Sequence, residues 1–153
     1  MTTKEEDLYT LMTQVRRCFN QMKGLAEQMH QDLGINPSMR AVMETLAASG
    51  RQTVPAIARA KGVSRQHIQT IMNGLLASKL AILIDNPAHK RSPLFDLTQQ
   101  GKSHFTEIKR REQEPLQRLS DALPAKKIGQ SIEGLMLLNQ QLEDELKKGK
   151  TNA

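Results

Sequence analysis

A run of polar side chains that contains no carboxylate lies between Ser64 and Asn73. If this run is helical, its apolar residues share one side, and amide, hydroxyl and cationic groups share the other. The candidate contact residues are Ser64, Arg65, Gln66, His67, Gln69, Thr70 and Asn73. Such groups hydrogen bond to base edges and phosphates in the major groove, so the pattern predicts contact with double-stranded DNA. The alternative is an ordinary solvated helix face, although surface helices of that length normally carry some acid.

A short basic loop between Ala88 and Ser92 forms the second candidate site. It holds His89, Lys90 and Arg91 in succession. Adjacent cations can straddle the minor groove, and narrow A·T tracts favour an arginine there because they concentrate negative potential. A Lys-Arg pair on a loop is commonly just solvated. Its place close to the run from Ser64 to Asn73 favours contact with DNA instead.

The net charge of the chain comes from one stretch that includes both candidate sites. The chain carries 22 Lys and Arg residues against 16 Asp and Glu residues, which gives +6. The 43 residues from Arg51 to Pro93 hold seven of those basic residues and one acid, Asp85, so they alone account for +6. A local basic field attracts a polyanion, and nucleic acid is the commonest one. We therefore expect Arg51 to contact phosphate together with Arg65 and Lys90.

The segment around these sites has the signals of a helix-turn-helix followed by a β-hairpin. Thr53 and Ser64 are expected to cap two short helices, and Gly62 suits the turn between them because it tolerates a positive φ. The stretches 80–85 and 93–97 are rich in β-formers and are predicted as the strands of the hairpin. The apolar anchors expected beneath the second helix are Val63, Ile68, Ile71, Met72 and Leu75.

The flanking segments have the apolar periodicity of longer helices. One is predicted from Glu5 to about Leu33, and a second begins at Asn36-Pro37. A third is predicted from Thr98 to about Leu123, with a kink at Pro115. A last helix follows Pro124. Its apolar face consists of Ile128, Ile132, Leu135, Met136, Leu142 and Leu146.

Composition narrows the classes of function. The chain has 153 residues, 38% of them hydrophobic, so it can build a modest core that a second copy would complete. No Trp, one Tyr and three Phe argue against aromatic platforms for single-stranded nucleic acid. The single Cys excludes an intramolecular disulfide and a Cys-rich zinc site. The sequence has no apolar run of membrane-spanning length, and its start lacks the features of a secretory signal.

Four segments in succession carry a resemblance to a known family. They are Val54–Ser64, Leu75–Leu80, Asp85–Ser92 and Leu97–Gly101. With these segments and its long flanking helices, nearly the whole chain resembles the MarR family of bacterial transcriptional regulators. The resemblance implies an obligate homodimer with intertwined terminal helices that binds palindromic operators.

The resemblance also assigns roles in the wing and suggests an effector. It implies that Arg91 is the wing arginine, and it shows one departure. His89 stands where the family usually has an acid that braces the wing through a salt bridge. The family commonly binds small aromatic or phenolic anions between its dimerisation helices and its winged domain. Residues that can border such a space are Met29, His30, Met39 and Met43, although they are equally ordinary core.

Cys18 has two interpretations. Arg16 and Arg17 precede it, and nearby cations can lower a thiol pKa and make it an oxidant sensor. Cys18 also shares an apolar helix face with Val15 and Met22, which favours a small buried hydrophobe. The four histidines show no metal-ligand spacing, and the sequence has no phosphate loop, nucleophile motif or catalytic carboxylate pair. We therefore predict no metal, no cofactor and no enzymatic activity.

The residues and the resemblance together predict a mainly α fold with a small β-hairpin. Residues 36–98 form a winged helix-turn-helix DNA-binding domain, and residues 1–35 and 99–153 form a helical dimerisation region. The predicted function is a homodimeric, sequence-specific repressor that binds an inverted-repeat operator in the bacterial cytoplasm, associated with the nucleoid. A small aromatic or anionic effector, or alternatively oxidation of Cys18, would release it. The alternative function is an architectural or protein-interaction module without operator specificity.

Overall fold

The computed structural model of the chain describes residues 2–151. Its elements are α1 (Thr3–His30), the 3₁₀ turn Gln31–Leu33, α2 (Pro37–Ser49), β1 (Gln52–Thr53), α3 (Val54–Lys61), α4 (Arg65–Ala77), β2 (Ala81–Ile84), β3 (Leu94–Leu97), α5 (Gln99–Ala122) and α6 (Ala125–Thr151). The chain divides into two compact units, Met1–Arg111 and Glu112–Ala153. The mainly α winged helix predicted from the sequence is confirmed.

Side-chain caps begin the helices of the first unit where the sequence predicts them. Asn36 Oδ1 accepts the Met39 N–H at 2.8 Å. Thr53 Oγ1 accepts the Ala56 N–H at 3.2 Å. Each cap satisfies a backbone donor that the first turn of a helix leaves without an intrahelical partner. Gly62 ends α3 at φ 65°, in the left-handed region that favours glycine.

The wing is an antiparallel sheet of three strands in the order β1-β3-β2. Strands β2 and β3 form the predicted hairpin, in which Leu83 pairs with Phe95. Strand β1 adds the pairs Gln52 with Phe95 and Thr53 with Leu94. The sequence prediction omitted β1, because two residues are too few to show a period-two pattern.

The core of the first unit lies between α2, α3, α4, the sheet and the start of α5. The buried apolar side chains of α4 are the predicted ones, Ile68, Ile71, Met72 and Leu75. Val63 is a correction, because its side chain is 40% exposed and does not anchor α4 from below. Val63 belongs to the short connection between α3 and α4, as predicted, but it is not part of the buried face beneath α4.

A close backbone approach fixes the start of α5 against Lys79 and Leu80, which follow α4. Thr98 Oγ1 donates to Lys79 O at 2.7 Å and accepts the Gly101 N–H at 3.0 Å. The Thr98 N–H donates to Leu80 O at 3.0 Å. A Cβ on Gly101 would lie 2.0 Å from that same Leu80 oxygen, so only glycine fits here. This contact explains why the sequence has Thr and Gly three residues apart after β3.

Ion pairs connect the end of α1 to α5. Arg111 Nη1 donates to Met29 O at 2.8 Å, and Nη2 donates to Asp32 Oδ2 at 2.9 Å. Arg111 Nε donates to Glu107 Oε1 at 2.9 Å. The Arg110 and Arg111 guanidinium groups lower the pKa of Glu107 from 4.5 to about 2. Hydrogen bonding to Arg111 lowers the pKa of Asp32.

Helix α5 continues through Pro115. Proline has no N–H, so Pro115 cannot donate to Arg111 O, the carbonyl four residues earlier. The boundary between the two units falls immediately after Arg111. Beyond this point the leucines Leu116, Leu119 and Leu123 are exposed.

Candidate nucleic-acid interface

Helix α4 presents its polar face to solvent. All seven contact candidates from Ser64 to Asn73 are exposed, while the apolar side of the helix is buried in the core. Ser64 serves first as the cap of α4, since its Oγ accepts the His67 N–H at 3.1 Å. No acid lies in the first turn of α4, so the positive end of the helix dipole is not neutralised there.

Two hydrogen bonds on this face decide which groups remain for a ligand. Gln69 Nε2 donates to Asn73 Oδ1 at 2.9 Å. This leaves Gln69 Oε1 as an acceptor and Asn73 Nδ2 as a donor. Thr70 Oγ1 donates to Gln66 O at 3.0 Å, so Thr70 offers its methyl group and hydroxyl lone pairs. The face therefore offers a donor, an acceptor and a methyl group. These groups can contact the acceptors, donors and thymine methyl groups that distinguish base pairs in the major groove.

The wing loop, residues 85–93, folds into two consecutive turns. The His89 N–H donates to Asn86 O at 3.2 Å, and the Ser92 N–H donates to His89 O at 3.1 Å. Asn86 Nδ2 donates to Ser92 O at 2.9 Å across the base of the loop. Asn86 Oδ1 accepts the Ala88 N–H at 3.2 Å. The amide of Asn86 therefore holds the loop, in a chain where His89 replaces the acid that the resemblance leads one to expect.

Four of the candidate residues of α4 and the wing meet in one groove. Its volume is about 370 Å³, and its lining includes Arg65, Gln66 and Gln69 from α4 together with Arg91 from the wing loop. His89 and Lys90 are exposed on the same loop, outside this lining. Helix face and loop thus form one surface that carries amides and guanidinium groups together.

Arg51 lies beside the wing and has a partner that the sequence prediction missed. Its Nε is 3.6 Å from Asp96 Oδ2, and its side chain is 60% exposed. Asp96 belongs to β3, and its Oδ1 also accepts the Leu97 N–H at 2.8 Å. No local motif marks this pair, because the two residues are brought together only by the pairing of β1 with β3.

Three curated relatives share part of the sequence. No protein-family model matches the chain. An uncharacterized protein of Mycobacterium tuberculosis is 42% identical over 71 residues, which cover 46% of this chain and 50% of that protein. A protein of Mycobacterium bovis matches to the same extent. The chain thus spans about half the length of the curated relatives it matches.

Solved structures resemble nearly the whole chain. A MarR family transcription regulator gives a TM-score of 0.80 at 24% identity, over 96% of this chain and 97% of its own. Reduced AbfR bound to DNA gives 0.74 at 20% identity, over 93% and 99%. Staphylococcus aureus MarR in complex with salicylate and kanamycin gives 0.73 at 15% identity, over 95% of each chain. The chain has the fold of the MarR family regulators.

Within this MarR fold, three of the four residues predicted to border an effector space are buried. Met39 and Met43 are buried in the core, and His30 is buried at the end of α1. Met29 is half-buried. An open cavity of about 560 Å³ lies beside α1, and its lining comprises Gly24, Glu27, Gln28, Gln31, Gly34, Ile35 and Asn36. It includes none of the four predicted residues.

Cys18 is exposed on α1 of the MarR fold. The interpretation of Cys18 as a small buried hydrophobe is therefore wrong for the single chain, because its whole helix face is open. Over residues 2–151, no cluster of three or more His, Cys, Asp or Glu side chains suits a metal ion. None of the helices in that range is long and apolar enough to cross a membrane.

Proposed function

We propose that the chain is a MarR family transcriptional regulator that binds double-stranded DNA. One observation carries this proposal: Arg65, Gln66 and Gln69 of the acid-free α4 face line a single groove with Arg91 of the wing loop. The segment that forms this surface carries the entire net positive charge of the chain. A regulator of this kind has no catalytic role.

In the proposed complex, α4 enters the major groove and the wing loop lies at the adjacent minor groove. Base edges are read by Gln66, Gln69, Thr70 and Asn73. Gln69 Oε1 suits an amino group of adenine or cytosine, and Asn73 Nδ2 suits an acceptor of guanine or thymine. Arg91 probes the minor groove. The phosphate contacts come from Arg65, Lys90 and Arg51. Ser64, His67 and His89 are further proposed contacts with DNA.

The proposed assembly is a homodimer, and the support comes from the long helices. Apolar side chains at helical spacing stay exposed along α1, at Leu8, Leu11, Val15, Phe19, Met22 and Leu25. A similar stripe on α6 consists of Ile128, Ile132, Leu135, Leu142 and Leu146. Each stripe is an exposed apolar surface of the kind that marks an interface. A second copy would cover it and place two α4 helices roughly 34–36 Å apart, one turn of an inverted-repeat operator.

Regulation by a small aromatic or anionic effector is proposed from the likeness to the salicylate-bound S. aureus MarR. Such a ligand releases a repressor if it favours a dimer whose two α4 helices no longer match the operator spacing. Oxidation of Cys18 is the second route. Cys18 lies on the same α1 face as Val15 and Met22, so its oxidation would add a polar group to the face that forms the proposed dimer.

The experiment is a selection of bound fragments from genomic DNA, followed by titration of the best fragment and of random DNA at several salt concentrations. The expected result is an enriched inverted repeat that binds about a thousandfold more tightly than random DNA. Equal salt slopes on all fragments without enrichment would contradict the proposal. That outcome would favour an architectural or protein-interaction module.

Base reading is tested with Gln69→Ala and Asn73→Ala. Each is expected to weaken binding to the selected fragment by about tenfold, since a base contact is worth about 1–3 kcal/mol. Binding to random DNA should change little. Gln99→Ala is the matched control, because it removes an exposed amide at the start of α5. Equal losses on both kinds of DNA would contradict base reading.

A further inference from the structure

We propose that Asn86 is a positioning residue for DNA binding, whose amide holds the wing loop so that Lys90 and Arg91 face the duplex. The proposal rests on the proposed function, because it concerns the wing of the same interface. It names a determinant of affinity that need not touch DNA itself.

The two ends of the Asn86 amide act on different turns of the loop. Oδ1 accepts the Ala88 N–H inside the first turn, and Nδ2 donates to Ser92 O at the end of the second turn. Asn is favoured at the first position of such a turn and Pro at the second, and Asn86-Pro87 supplies both. One side chain therefore fixes the two turns relative to each other.

The second turn is the one that carries the cations. Its central residues are Lys90 and Arg91, between His89 and Ser92, whose backbones close the turn. Arg91 and Ser92 also line the groove beside Arg65 and Gln69. A shift of the Ser92 carbonyl thus moves Arg91 relative to α4. Among the described residues, Asn86 has the only side chain that hydrogen bonds within the wing loop.

The chemistry of this support matters because an amide is uncharged. A carboxylate brace would neutralise one cation near the loop and would weaken as salt screens it. Asn86 leaves the charges of Lys90 and Arg91 available for phosphate. It also limits the conformations of the loop before binding, so less conformational entropy is lost when DNA binds.

The test uses the full chain and measures affinity for the selected fragment and for random DNA. Asn86→Ala is expected to weaken binding about tenfold, the size of one to two net hydrogen bonds. Asn86→Ser should lose less, because a serine Oγ can still accept the Ala88 N–H but cannot span the loop to Ser92 O. Gln99→Ala again serves as the amide-loss control and should bind like the unaltered chain.

A double-mutant cycle separates positioning from a general structural role. In a Lys90→Ala/Arg91→Ala background, Asn86→Ala should cost at most about twofold more, since the cations it positions are absent. An equal loss in both backgrounds would overturn the proposal. Unchanged affinity of the Asn86→Ala variant would overturn it as well.

Hydrogen exchange of the free protein tests the geometry without DNA. Asn86→Ala should speed exchange in the wing loop and leave α2, α3 and α4 as protected as before. Faster exchange throughout those helices would overturn the proposal, because the effect would then be global destabilisation. If the unaltered chain binds no DNA, the proposed function fails, and the exchange result still reports on the role of Asn86 in the loop.

Discussion

The winged segment, which comprises α2, α3, α4 and the sheet, buries its apolar side chains. The long helices α1 and α6 leave theirs exposed. Helices α2, α3 and α4 and the sheet bury theirs in one core, from Met39 to Leu97. Helix α1 buries only His30 among its residues, and no described residue of α6 is buried. Both α1 and α6 are nevertheless amphipathic over their length. The winged segment is therefore complete as a single chain, whereas α1 and α6 leave their apolar faces exposed.

This difference separates two sources of stability. Substitutions in the winged segment should act on the unfolding of each chain whatever the protein concentration. Substitutions on the stripes of α1 and α6 should act through association, so their effect should depend on concentration.

The largest expected effect is at Gly101, inside the complete region. Gly101→Ala places a Cβ 2.0 Å from Leu80 O, a backbone atom that cannot rotate away. We expect a loss of about 3 kcal/mol or more in the free energy of unfolding, measured by urea denaturation. Gly74→Ala is the control, since its Cβ would meet only the flexible Met39 Cε at 3.6 Å. Wild-type stability in Gly101→Ala would disprove the close approach.

The next effect tests the incomplete region. Leu135→Glu places a charge in the middle of the exposed stripe of α6, and a buried carboxylate without a partner is costly. We expect the dissociation constant of the dimer to rise at least about a hundredfold, which is about 2.7 kcal/mol. Sedimentation at several concentrations measures it. Gln141→Glu adds the same charge off the stripe and should leave association unchanged. If the unaltered chain is a monomer, the proposal that the stripes of α1 and α6 form a dimer interface is wrong.

A smaller effect is expected at Arg111, where α1 meets α5. Arg111→Ala removes the partner of Asp32 and one partner of Glu107, and the melting temperature should fall by a few degrees. Arg118→Ala, whose partner Glu114 is also exposed, should change it less.

The contact between Arg111 and Glu107 also predicts that the stability of the chain depends on pH. The pKa of Glu107 is lowered from 4.5 to about 2 in the folded chain, so its contribution is present above pH 4.5 and disappears as the pH falls towards 2. The Arg111→Ala variant should lose less stability over this range than the unaltered chain does. Thermal melts across the range measure the difference, and parallel profiles would contradict it.

The smallest effect is expected at Val63. Its side chain is 40% exposed, so Val63→Ala should cost less than about 1 kcal/mol. Ile68→Ala, at a site only 1% exposed, should cost about 2–5 kcal/mol. A large loss in the free energy of unfolding of Val63→Ala would support the sequence prediction that Val63 anchors α4. Urea denaturation of both variants decides between these outcomes.

The parts of the fold that sequence predicted are those with local causes. Asn36, Thr53 and Ser64 were identifiable as caps because a cap acts on a backbone group three residues away. The buried face of α4 followed from a repeat within one helix. Gly62 was predictable because its turn needs a conformation that few residues adopt.

The missed features depend on residues that are distant in the sequence. The Arg51–Asp96 pair requires the pairing of β1 with β3, and β1 has only two residues. The Arg111–Asp32 pair joins α5 to the end of α1. The role of Asn86 was missed for a different reason: its bond to Ser92 O depends on how the loop folds back. The exposure of Cys18 was missed because helical periodicity predicts which residues share a face, and it does not show whether that face is covered.

The left-handed residue Lys79 has a consequence for signalling through the molecule. Lys79, at φ 58°, offers its carbonyl to Thr98, and Leu80 packs against Gly101. The segment that connects α4 to β2, which includes Lys79 and Leu80, is thereby held against the first turn of α5. A displacement of the first turn of α5 would therefore reach α4 and the wing through the same few atoms, so α4 and the wing would move together. If the chain binds DNA as proposed, a ligand that displaces α5 would change DNA affinity by reorienting α4 and the wing together, without unfolding either.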